Sequence, residues 1–174
     1  MSDEATDHPG SADADSSGED VERSDDSNPT RLDGWEQPYT FAPDATAASI
    51  ARAHPDLEPG TETGERVTIA GRLMLRRVQG KLAFGTLADR TGRIQLFAPS
   101  ATTPDFDRFG ELHLGDWIGV SGEVMTTRRG ELSVRVDEWV LLAPTRRAFP
   151  DKWHGISDQD LRFRQRYVDL WVTD

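Results

Sequence analysis

Between residues 66 and 142, apolar and polar side chains alternate in short runs, the period-two signature of strands with one buried face. Val67, Ile69, Gly71, Leu73 and Leu75 alternate with Thr68, Ala70, Arg72, Met74 and Arg76, so the first set is expected to face a core. Gly71, in the middle of this strand, invites a bulge or strong coiling. Gln79 and Gly80 form a tight turn into a second strand over residues 81–88. Asp89-Arg90-Thr91-Gly92 turns the chain again, into a third strand over 93–97. There Ile94 and Leu96 face one way, and Arg93, Gln95 and Phe97 the other. The polar interval 104–112 has the length of a short helix carrying Phe106 and Phe109. After Gly115, the residues Ile118, Val120, Gly122 and Val124 mark a fourth strand. Arg129-Gly130 leads into a fifth, with Leu132, Val134 and Val136 on one face, continuing through 139–142.

Three strands, a short helix and two more strands are the element order of an OB-fold, a five-stranded Greek-key barrel of the all-β class. A β-sandwich would show about seven strands and no helix at that place. The barrel is expected over residues 64–144, as a nucleic-acid-binding domain. Residues 1–30 are Asp, Ser, Glu, Gly and Ala with almost no apolar side chains, and are expected to form a disordered acidic tail. Asp13, Asp15, Ser17 and Gly18 follow the opening of a calcium-binding loop, but its twelfth position is Ser24 and no amphipathic helices flank it, so the tail reads as solvated. Residues 31–63 read as a poorly ordered lead-in, because Pro38, Pro43, Pro55 and Pro59 break long elements, although 45–53 suits a short helix and Trp35, Tyr39, Phe41 and Ile50 could anchor on a neighbouring surface. Residues 145–174 read as a linker and a helix, with Ser157 as N-cap and Leu161, Val168 and Trp171 on one side.

Charge sharpens this division. The net −11 is uneven: residues 1–60 hold 15 of the 31 acidic side chains and only Arg23, Arg31 and Arg52, a balance of −12, leaving +1 for residues 61–174. The acidity therefore says nothing about the barrel. With no cysteine, disulfides, thiolate metal sites and cysteine nucleophiles are excluded. No apolar run approaches the ~20 residues that span a bilayer, and Met1 opens no signal-peptide pattern, so a cytoplasmic protein without membrane contact is expected.

Catalytic signatures are scarce. His8, His54, His113 and His154 lie far apart without metal-ligand spacing, and neither a G-x-S-x-G elbow nor a G-x-x-x-x-G-K-[ST] phosphate loop occurs. Binding is better supported. OB barrels bind oligonucleotides on the face of strands 1 to 3, using stacking aromatics, base-edge hydrogen bonders and basic residues. Arg77, Phe84 and Gln95 are positions that could project there, Gln95 because it alternates out of phase with Ile94 and Leu96. A strand phenylalanine is by burial preference more often core than platform, and Arg76-Arg77 by itself suits a solvated edge.

Three blocks carry a resemblance: GRLMLRRVQGKLAFGTLADRTGRIQLF (71–97), LGDWIGVSGEVMTTRRGELSV (114–134) and PDKWHGISDQDLRFRQRYVDL (150–170). They resemble the class II lysyl-tRNA synthetases in their N-terminal anticodon-binding OB domain. The first block is shared more loosely with aspartyl and asparaginyl members, whereas the last points to lysyl enzymes. The resemblance implies RNA-binding roles for four residues. Phe84 matches the family's phenylalanine that stacks on the central anticodon uridine, Gln95 the glutamine that reads that base's edge, and Arg77 the strand-1 arginine. Glu131, in Arg129-Gly130-Glu131-Leu132-Ser133, matches a glutamate near a flanking base. The implied partner is the anticodon loop of lysine tRNA. The implied reaction of the whole family is ATP-dependent attachment of lysine to tRNA, with ATP and Mg as cofactors and a homodimer formed mainly through the catalytic domain. The motifs of that domain are not matched here. This chain alone is therefore expected to hold no cofactor and to be inactive as a ligase, as a truncated or standalone part. Two alternatives are an independent tRNA- or single-strand-binding OB module, and a non-binding interaction domain whose acidic tail recruits a basic partner.

Overall fold

The computed structural model describes residues 34–146, 159–164 and 166. The expected acidic tail, most of the C-terminal helix, and Val168 and Trp171 lie outside the described residues. The element order is α1 (Ala47–Ala53), β1 (Glu62–Gln79), β2 (Leu82–Ala88), β3 (Arg93–Pro99), α2 (Phe106–Gly110), β4 (Trp117–Thr126), β5 (Leu132–Ala143) and α3 (Gln159–Arg164). The five strands close into a barrel in the order β1-β2-β3-β5-β4, with β3 and β5 parallel and the other pairs antiparallel. This is the OB barrel that the alternation predicts. Among the described residues, no helix is long and apolar enough to cross a membrane.

Side chains of one phase fill the interior. Ile69, Leu73, Leu96, Ile118, Val120, Val124, Val134 and Val136 are essentially inaccessible. Phe109 of α2 joins them, with its ring edge-on to Trp139 at 5.5 Å, and closes the barrel at the end where β3 finishes. Trp139 Nε1 in turn donates to the Pro104 carbonyl at 2.7 Å and fixes the approach to α2.

One part of the alternation breaks. The β1–β2 register shifts between Leu73 and Leu75, so Met74 is an extra residue and the phase inverts beyond it. Leu75, expected inside, is therefore exterior and 37% exposed. The bulge also sits three residues past Gly71. Gly71 instead permits a close approach, since a Cβ there would lie 2.6 Å from the Ala88 carbonyl oxygen.

The lead-in is more firmly placed than its prolines suggest. Trp35 Nε1 donates to the Leu141 carbonyl at 2.8 Å, the Asp44 carboxylate accepts from Thr68 N at 2.7 Å, and Phe41 packs its ring over Gly119. α1 is capped by Thr46, whose hydroxyl accepts from Ser49 N while Ser49 Oγ accepts from Thr46 N. Its buried Ala47 and Ile50 enter the core at the end where β3 begins. Prolines forbid long helices but not extended chain docked on a barrel.

Asp89 pins this helix to the β2–β3 turn, its carboxylate accepting from Ala47 N at 2.8 Å, Thr91 N at 2.6 Å and Gly92 N at 3.0 Å. Burial alone would raise its pKa, but the bonds from the Thr91 hydroxyl and from the Ala47, Thr91 and Gly92 amides outweigh that and hold it below the ordinary value. A carboxyl depressed in the folded state stabilises fully above its unfolded pKa of about 3.9, and that contribution is lost as pH falls through the folded value. Acidification below about pH 4 should therefore loosen α1 before the barrel opens, read as faster amide exchange at Ala47 and Ile50. Asp89→Ala should loosen α1 at neutral pH, at a cost of about 1 kcal/mol, the usual worth of a lost helix cap.

Candidate nucleic-acid interface

Strand register determines which exterior side chains meet. On β1, β2 and β3, Arg77 pairs with Phe84 and Phe84 with Phe97. The neighbouring row runs Leu75, Thr86, Gln95 and, across the parallel pairing, Ser133 of β5. These residues are far apart in sequence and adjacent on one outer face. The inversion at Met74 is what brings Arg77 to this face, because an uninterrupted β1 would keep the phase of Leu73.

Phe84 is half-buried on the exterior, between inward-facing Ala83 and Gly85. Phe97 supports its ring edge-on, with centroids 5.7 Å apart and planes at 63°. The Arg77 guanidinium lies 5.6 Å from the ring centroid, a cation–π contact. Arg77, Phe84, Thr86, Gln95 and Leu75 line one shallow hollow of about 430 Å³. Arg76 borders it and donates to the Gly110 carbonyl of α2, tying the β1 end to the helix.

Electrostatics separate this hollow from the adjoining β5 surface. Arg135, the cross-strand partner of Phe97, is engaged by Glu123 at 2.6 Å and by Glu62 and Asp137, each at 3.4 Å. Asp137 also pairs with Arg66 at 2.6 Å. Positive charge there is largely compensated, whereas Arg77 holds its charge over the Phe84 ring.

Of the four residues singled out in the sequence, three thus surround one hollow. Glu131 does not line it. It is exposed in the β4–β5 turn, where its carbonyl accepts from Thr127 N at 3.0 Å and from Ser133 Oγ at 3.0 Å. Ser133 links that turn to the hollow, because Gln95 Nε2 donates to Ser133 Oγ at 2.9 Å. Sequence reasoning gave no role to Phe97, Thr86 or Ser133. Phe97 carried a signal, standing two residues from Gln95 in the same outward phase. Ser133 carried none, because its meeting with Gln95 depends on a parallel pairing 38 residues away.

Residues 67–142, nearly the whole barrel, match the tRNA anticodon family model, described as an OB-fold nucleic acid binding domain. The barrel is an OB-fold anticodon-binding domain, homologous to the N-terminal part of lysyl-tRNA synthetases. The lysine–tRNA ligase of Synechococcus sp. strain RCC307 is 50% identical over 140 residues, covering 78% of this chain and 28% of the relative. That of Synechococcus sp. strain CC9311 is 49% identical over 142 residues, covering 79% and 29% respectively. The ligase of Prochlorococcus marinus strain MIT 9313 is 45% identical over 150 residues, covering 78% and 29%. The chain thus spans under a third of the length of these relatives, and the similarity extends beyond the barrel of the anticodon-binding domain.

Proposed function

We propose that this anticodon-binding domain uses the outer face of β1, β2 and β3 to read the anticodon loop of lysine tRNA, as the RNA-binding part of a cytoplasmic lysyl-tRNA synthetase. One observation carries the reading: a ring face, a cation and an amide converge on a single hollow, at Phe84, Arg77 and Gln95. An unpaired uridine presents the complementary parts. Its π-face stacks on Phe84, its edge meets the Gln95 amide, and the neighbouring phosphate takes the Arg77 charge. Glu131 would meet a flanking base from the β4–β5 turn. ATP and Mg belong to the reaction of the whole ligase; among the described residues no three His, Asp or Glu side chains converge to hold a metal ion.

Gln95→Ala tests the base-reading part. It should abolish most discrimination at the central anticodon position, about 1–3 kcal/mol for a two-point amide contact, while lowering total affinity less. Fluorescence anisotropy with uridine- and cytidine-centred stem-loops measures both. Equal weakening for the two loops would show that Gln95 only supports the strand. Preference for a UUU-containing loop over unrelated single strands favours the synthetase reading over an independent single-strand-binding module.

A further inference from the structure

We infer that Ser133 sets which end of the Gln95 amide faces a bound base, and thereby makes the face select uridine over cytidine. This rests on the proposed reading of the face and adds to it a positioning residue that touches no RNA.

A serine hydroxyl has one proton to donate. Ser133 Oγ stands 3.0 Å from the Glu131 carbonyl oxygen, which can only accept, so the proton is committed there. That carbonyl is itself held in place, because Thr127 N donates to it at 3.0 Å and Thr127 Oγ1 accepts from Glu131 N at 3.2 Å. Toward Gln95, the hydroxyl is left with lone pairs only. The amide atom 2.9 Å away must therefore be the donor, Nε2. Turning the amide would set Oε1 against Oγ with no proton between them, unless Ser133 abandoned Glu131. Ser133 is fully buried, so water cannot compensate either loss.

The lock determines what Gln95 presents outward: the Oε1 acceptor and the N–H on the same side of the amide. Uracil offers an N3–H donor beside an O4 acceptor and matches both. Cytosine offers an N3 acceptor beside an N4 amino donor and requires the amide reversed. An amide free to turn would serve either base; one held by Ser133 serves uracil.

The test uses the whole 174-residue chain and stem-loops identical except for a central uridine or cytidine. Ser133→Ala should shift the two affinities in opposite directions, weakening the uridine loop and strengthening the cytidine loop. Their ratio should collapse by roughly fivefold to a hundredfold. A merely structural role would weaken both loops together, and that result would overturn the inference. In a Gln95→Ala background, Ser133→Ala should leave the ratio unchanged; a further change there would mean that Ser133 acts by another route. A second readout needs no RNA. In the nuclear magnetic resonance spectrum of the free protein, the Gln95 side-chain amide should give shifted, slowly exchanging signals that become solvent-like in Ser133→Ala. Unchanged signals would show that there is no lock. If the wild type binds neither loop, the proposed function and base selection fail together, and the amide signals alone decide whether Ser133 holds Gln95. If Ser133→Ala does not fold, Ser133→Cys, which keeps a weak donor and acceptor, should shift the ratio in the same direction by less; an unchanged ratio in that variant would also count against the lock.

Discussion

Phe84→Ala should weaken binding to a lysine-tRNA anticodon stem-loop by about 1–3 kcal/mol, the worth of one base–aromatic stack, or roughly fivefold to a hundredfold in Kd. The ring lies outside the barrel, so removing it leaves no interior cavity. It does remove the surface that Phe97 buttresses edge-on and Arg77 covers. Circular dichroism should therefore show a folded barrel, with a melting temperature within a few degrees of the wild type. Phe84→Leu separates the two contributions of the side chain, since it keeps apolar area but has no π-face, and it should recover only a minor part of the lost affinity. A Phe84→Ala protein that binds as tightly as the wild type would remove stacking from the account. One that unfolds would mean that the ring supports the barrel rather than a ligand.

The largest loss of stability is expected from Gly122→Ala. Gly122 occupies an inward position of β4 in phase with Val120 and Val124. The β4–β5 register shifts at this point: Ser121 pairs with Glu138 and Gly122 with Val136, so Asp137 is an extra residue on β5. This bulge drives the Arg135 carbonyl toward β4, and a Cβ on residue 122 would stand 1.7 Å from that oxygen. The obstruction is backbone, so no rotamer change relieves it; two strands of a closed barrel must separate. A cost of about 3 kcal/mol is expected, lowering the melting temperature by more than roughly 10 °C. Gly64→Ala is the comparison: Gly64 has φ 73° but nothing within 4 Å of a Cβ, so only backbone strain of about 1 kcal/mol applies. Similar costs for both would show that the bulge yields easily.

The strands could be read from the sequence because a barrel has a wet outside and a dry inside, which imposes period-two alternation wherever the ladder is regular. Reading failed where the ladder is irregular. The extra residue at Met74 inverts the phase for Leu75, and nothing in the side-chain types of Leu73, Met74 and Leu75 announces a bulge between apolar neighbours. The lead-in was legible in part: its short helix and the anchoring of Trp35, Phe41 and Ile50 could be read, but not what fixes them. Its order comes from single long-range bonds, such as Trp35 to Leu141 and Ala47 to Asp89, which leave no periodic trace. The hollow was partly legible: Gln95 announced its face by being out of phase with Ile94 and Leu96, whereas composition could not tell platform from core at Phe84. Its convergence with Arg77 and Gln95 follows from strand register, and the Ser133 contact from a parallel pairing that only the closed barrel creates.

A chemical-shift titration of the isotope-labelled chain with a uridine-centred anticodon stem-loop maps the RNA-binding face residue by residue. Perturbed signals should concentrate at Arg77, Phe84, Thr86, Gln95 and Phe97, with little change at α1 and at the Phe41–Gly119 contact on another side of the barrel. Perturbations centred on α1 or on the Arg135–Glu123 ion pair, or none at near-saturating RNA, would show that RNA is not bound on the outer face of β1, β2 and β3.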